Sequence, residues 1–137
     1  MSSAWVLHER LAADTLPVRD LALSRLLVMR DARFAWAILV PRVPDLTELH
    51  RLPAADRDQL MREVTAVASA LAGLPGVTKI NHGALGNLVP QFHWHVVARH
   101  PGDAAWPGPV WGSGAAVPPE PEALEQLVAA LAAVDPD

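Results

Sequence analysis

The chain has 137 residues, no cysteine, 51% hydrophobic residues and a formal net charge of −4. This is the composition of one folded domain spanning residues 1–137, large enough to bury a single core, and it excludes a disordered chain. Disulfides, thiolate chemistry and cysteine-bound zinc are excluded too, and 11 Lys and Arg scattered among 15 Asp and Glu form no basic patch for nucleic acid.

From the N-terminus, Met1–Arg10 carries charge and no long apolar run, so no signal peptide is expected. No segment has the roughly 20 uninterrupted apolar residues that span a bilayer. The expectation is a cytoplasmic protein without a membrane partner. His8–Ala13 suits one or two helical turns, and Asp14-Thr15-Leu16-Pro17 reads as a break. Ser24–Met29 predicts a strand, Arg30–Arg33 a hairpin turn with Asp31 as turn residue, and Phe34–Val40 an antiparallel partner ended by Pro41 and Pro44.

Pro53–Ala72 predicts a long helix. Leu60, Val64, Val67 and Leu71 form its apolar stripe, Asp56 and Asp58 suit its positive end, and Gly73, Pro75 and Gly76 stop it. Val77–Ile80 reads as a third strand, His82–Pro90 as a glycine-bearing loop and Gln91–Ala98 as a fourth strand. Pro101–Pro119, rich in Pro, Gly and Trp, predicts an ordered surface loop in which Trp106 and Trp111 pack against the sheet, a role favoured over covering the site or a partner subunit. Glu120–Ala133 predicts a C-terminal helix with Leu124, Leu127, Val128 and Leu131 on one face. His8, His50 and His100 read as surface residues. The expected fold is α+β, an antiparallel sheet of about five strands with one long helix and a C-terminal helix.

The chemically informative segment is Gln91-Phe92-His93-Trp94-His95-Val96-Val97. Strand alternation puts Gln91, His93 and His95 on one face, about 6.6 Å apart, and Phe92, Trp94 and Val96 on the other, which suits a core. Such a polar row suits one small anionic group. Two satisfied histidines on a half-buried strand are the plain alternative, disfavoured by the third polar residue and the glycine loop before it. A His-x-His pair also supplies two zinc ligands. A third would have to be His82, His100 or Asp103, and no spacing demands it.

This segment resembles the histidine-triad (HIT) motif, His-φ-His-φ-His-φ-φ with φ apolar. Leu26–Asp31, Ile38-Leu39-Val40-Pro41, the long helix, Lys79-Ile80-Asn81-His82-Gly83 and Gly86-Asn87 follow in that family's order, so the resemblance covers about residues 21–103, leaving 104–137 as loop and C-terminal helix. It is closest to the diadenosine-tetraphosphate-hydrolase-like branch, with Gln91 in place of the first histidine. The resemblance implies a HIT-like fold and a homodimer joined sheet edge to sheet edge. It implies His93 as the nucleophile at an α-phosphate, His95 as a phosphate contact, and a catalytic place for Gln91. Asn81, Gly86, Asn87 and Asp31 would bind the nucleotide, with Asp31 near ribose hydroxyls and Asn87 beside the leaving group. No cofactor and no metal is implied. Trp36 stands at or beside another family histidine, and Leu88 where many relatives carry Ser or Thr.

Three functions follow from these residues. One is a nucleotide hydrolase or nucleotidyl transferase working through a nucleotidyl-histidine. Another is a non-catalytic nucleotide- or partner-binding protein, for which Gln91, Trp36 and Leu88 argue. The third is a metal-dependent hydrolase using His93 and His95.

Overall fold

The computed structural model describes residues 4–137, so the first three residues of the Met1–Arg10 stretch lie outside the description. Five strands, β1 (Thr15–Asp20), β2 (Ser24–Met29), β3 (Trp36–Pro41), β4 (Lys79–Gly83) and β5 (Trp94–Arg99), form one antiparallel sheet in the order β1-β2-β3-β5-β4. Three helices, α1 (Glu9–Asp14), α2 (Ala54–Ala72) and α3 (Pro121–Ala132), complete it as an α+β fold. No described helix is long and apolar enough to cross a membrane.

Alternation along the strands divides the core in two. Leu26, Val28, Ala37, Leu39 and Val96 face α2 and α3, meeting the α2 stripe of Leu60, Val64, Val67 and Leu71 and the α3 residues Leu124 and Leu131. Phe92 and Trp94 join this layer, as the alternation predicts. Burying one such aliphatic side chain contributes about 1.5–3 kcal/mol. Leu27, Trp36, Ile38, Val40 and Val97 point to the opposite face, where Leu11, Val110 and Trp111 cover them. On the same side of α2 as the stripe sits a carboxylate. Glu63 is fully buried and accepts hydrogen bonds from the Leu23 and Ser24 amides at 2.8 and 2.9 Å and from Gln59 at 2.9 Å. It ties the long helix to the turn between β1 and β2.

Three expected boundaries move. Asp14-Thr15-Leu16-Pro17 enters an edge strand rather than breaking the chain. Pro17 is tolerated because β1 has a neighbour on one side only, and the register slips between Pro17 and Arg19. The third expected strand runs on through Asn81 and His82 to Gly83, paired along β5. The fourth begins at Trp94, not Gln91, because the backbone ahead of it turns away from the ladder to donate from the Phe92 amide to the Leu46 carbonyl at 2.9 Å.

Candidate active site

A cleft of about 690 Å³ opens on the sheet face opposite α2. Trp36 and His95 contribute to its lining from the sheet, and His93 from just ahead of β5. Arg10, Ala13 and Asp14 of α1, with Met29, Arg30, Asp31 and Arg33 around the β2–β3 turn, line it too, as do the Leu85–Val89 loop and Val110, Trp111, Gly112, Gly114 and Ala116 of the long C-terminal loop. Gly86 holds φ at +73°, a backbone conformation that suits glycine, where the loop turns into the cleft.

His93 and His95 are buried, with ring centroids 4.9 Å apart, edge to face. The Nδ1 of His93 lies 2.7 Å from the Gln91 carbonyl oxygen, which only accepts, so Nδ1 carries the proton and Nε2 is bare. The Nδ1 of His95 accepts from the indole Nε1 of Trp36 at 2.9 Å. An indole N–H only donates, so the proton of neutral His95 sits on Nε2. The two neighbouring imidazoles are therefore opposite tautomers. One offers an electron pair at Nε2, and the other a hydrogen.

Burial pushes both imidazoles down. For His93, the nearby His8 adds to the effect, while the Gln91 carbonyl opposes it. For His95, burial and the charge of His93 push the ring down to about 3. Near neutral pH both rings are uncharged, so that His93 offers a bare nitrogen and His95 a neutral donor.

Asp31, Gly86 and Asn87 join the two histidines around the cleft, but Asp31 is already occupied. Burial pushes its carboxyl up, and the Arg33 guanidinium with the Arg33 and Val117 amides outweighs this and holds it below the usual carboxylate range. The Arg33–Asp31 contact is 2.9 Å.

Gln91 and Asn81 do not line the cleft. Continued alternation would put the Gln91 amide beside His93. Instead Gln91 precedes the strand, and its Oε1 accepts from the His8 amide at 2.8 Å while its Nε2 donates to the Val6 carbonyl at 2.9 Å. The side chain clamps the N-terminal segment, and the backbone carbonyl serves His93. Asn81 accepts from Arg99 Nη1 at 2.8 Å. Arg99 is also paired with Asp103 at 2.7 Å, and both side chains are almost wholly buried. This network draws the Asn81 carbonyl oxygen away from any ligand.

Two residues do more than the favoured reading of the sequence gives them. Trp111 packs the loop and also covers the site, the alternative the sequence left open. Its ring stands 5.3 Å from His95, and a Cβ added at Gly83 would meet it at 2.9 Å. His8 is half-buried beside Gln91 rather than a free surface residue. A loop without periodicity does not decide between packing and cover for the first. For the second, the only hint is an acceptor side chain ahead of Glu9 and Arg10, which caps α1 by accepting from the Arg10 amide at 3.0 Å. Among the described residues, no three His, Cys, Asp or Glu side chains come together to hold a metal ion. His82, His100 and Asp103 thus add no third ligand to His93 and His95.

The HIT domain family model matches residues 12–102. A histidine triad protein of Bradyrhizobium japonicum superposes with a TM-score of 0.91 at 45% identity, over 94% of this chain and 96% of that one. Histidine triad proteins of Sinorhizobium meliloti and Marinobacter aquaeolei each superpose at 0.90 with 43% identity. They cover 93% and 94% of this chain respectively, and 94% of their own. No curated protein sequence matches the chain.

Proposed function

The chain belongs to the HIT domain family, and from that premise we propose that it is a nucleotide hydrolase or nucleotidyl transferase acting at the α-phosphate of a nucleoside phosphate. Membership supports nucleotide chemistry at a coarse level. The observation that carries the finer reading is the opposed tautomer pair, with the bare Nε2 of His93 beside the Nε2–H of His95. Nε2 of His93 attacks the α-phosphorus, a P–N bond forms, and the bond to the leaving phosphate oxygen breaks with its electron pair. Water then attacks phosphorus, the P–N pair returns to Nε2, and a nucleoside monophosphate leaves with release of one proton. Through its Nε2–H, His95 holds a non-bridging oxygen throughout.

A dinucleoside polyphosphate such as diadenosine tetraphosphate is the substrate to try first. Asn87, on the Gly86-bearing loop, and Asp31, held by Arg33, both line the cleft; in this reading Asn87 would face the leaving group and Asp31 the ribose. A two-fold homodimer joined sheet edge to sheet edge accompanies this reading, since β1 and β4 both leave an open edge.

A second reading, a non-catalytic nucleotide-binding protein, is favoured by Leu88. It is 82% exposed at the rim of the cleft, where a hydroxyl would assist a leaving group. Incubation with diadenosine tetraphosphate in the presence of EDTA separates the readings. Product formation supports metal-free hydrolysis, and binding without turnover supports the second. Turnover abolished by EDTA and restored by zinc would instead favour metal-dependent use of His93 and His95.

A further inference from the structure

His95 is unusually confined. It pairs with Ile38 on one side and Gly83 on the other within the sheet. The rings of His93 and Trp111 meet it edge to face, and Trp36, itself buried and packed edge-on by Phe34, reaches its Nδ1 at 2.9 Å. Rotating the imidazole by half a turn would set a carbon against the Trp36 N–H and leave that buried donor without a partner, at the full cost of its desolvation.

We infer that Trp36 is a positioning residue that locks His95 in its Nε2–H tautomer, making it a one-way hydrogen-bond donor rather than a proton carrier. The chemistry of the donor carries this. A histidine, glutamine or water at position 36 would both donate and accept, so that either nitrogen of His95 could bear the proton and pass it on. An indole accepts nothing. A proton arriving on His95 could settle only on Nδ1, where it would oppose the Trp36 N–H.

The groups around the ring do not reverse this. Just ahead of its own strand it faces His93. From α1 the cleft receives Arg10 and Asp14, and from the β2–β3 turn Arg30 and the mutually paired Asp31 and Arg33. Among the described residues, no carboxylate hydrogen-bonds His95. Its depressed ionisation, caused by burial and His93, is in keeping with the lock. The catalytic consequence rests on the hydrolase reading: proton traffic to the leaving group does not pass through His95.

The test is imidazole ¹⁵N–¹H correlation spectroscopy of the whole protein between about pH 5 and 8, the range in which free histidine titrates. His95 is expected as a single neutral tautomer protonated at Nε2 throughout. In Trp36→Phe it should exchange between its two neutral tautomers while staying uncharged, since burial and His93, which hold its ionisation down, are unchanged. With nucleotide substrate, kcat should fall about tenfold, the factor that one hydrogen bond of ordinary net strength represents, while KM changes less than twofold. A wild-type His95 protonated at Nδ1, or titrating in this range, overturns the inference, as does a Trp36→Phe spectrum identical to wild type. If Trp36→Phe fails to fold, the wild-type spectrum decides alone. The spectrum needs no substrate, so absence of turnover would remove the hydrolase reading and leave the tautomer lock to be judged separately.

Discussion

Trp36 on β3 and His95 on β5 face each other across neighbouring strands, joined by a 2.9 Å hydrogen bond that runs in only one direction, from indole to imidazole. His93, two residues before His95, is held just as firmly in the reverse sense by the Gln91 carbonyl. The division of labour between the two imidazoles is thus set by their partners.

If His93 is the nucleophile, His93→Ala should lower turnover by roughly 10⁴-fold or more, because no neighbouring group forms the same intermediate. Nucleotide affinity should fall far less. Mass spectrometry of wild-type protein quenched during turnover should locate an acid-labile, alkali-stable adduct on His93. An adduct on His95 would show the roles to be reversed.

Acid should destabilise the fold through His95. Its folded-state ionisation lies near 3 against an ordinary value of 6.5. Between those values the unfolded chain holds a proton that the native state does not, so stability is full above 6.5 and is lost as pH falls. From pH 7 to about 4.5 this amounts to about 2.5 kcal/mol. His93 and His82 are shifted the same way and add to it. Urea unfolding at the two pH values measures the loss, and His95→Gln should reduce it.

The Gln91 clamp should be separable from the chemistry. Gln91→Ala removes both hydrogen bonds to the Val6–His8 backbone, at a cost of about 1–2 kcal/mol. Amide exchange at His8 should accelerate while His93 keeps its backbone partner. Exchange as slow as in the wild type would mean that the segment is held by other contacts.

Gly83→Ala should be felt at His95. The new methyl would meet Trp111 at 2.9 Å, so the indole must shift. Overpacking of this kind costs roughly 1–3 kcal/mol. The proton resonances of the His95 ring should move as the neighbouring indole departs. Unchanged resonances would show that β4 yields instead.

Much of this architecture was legible in residue order. Leu60, Val64, Val67 and Leu71 marked the buried stripe of α2, and Phe92, Trp94 and Val96 the core face of the strand that carries the histidines. What stayed hidden depends on partners distant in sequence. Gln91 looked like a strand residue because alternation says nothing of where a strand begins, and its amide was committed to Val6 and His8. Asn81 looked free because Arg99 lies 18 residues on. Trp36 looked like a gap in a histidine pattern because a donor's worth depends on what it faces. The C-terminal loop's share of the cleft lies in a Pro-, Gly- and Trp-rich stretch with no period to read.

The cleft also separates two kinds of information along the chain. The imidazole-bearing floor lies within the stretch matched by the family model, residues 12–102, whereas Arg10 and Val110, Trp111, Gly112, Gly114 and Ala116, which complete the walls, lie on either side of it. The imidazole pair and the Asp31, Gly86 and Asn87 part of the cleft are therefore written in one segment, and the rest of its walls in the flanks. Sequence change in the flanks can retune the choice of ligand while the imidazole pair and its two fixed protons stay as they are.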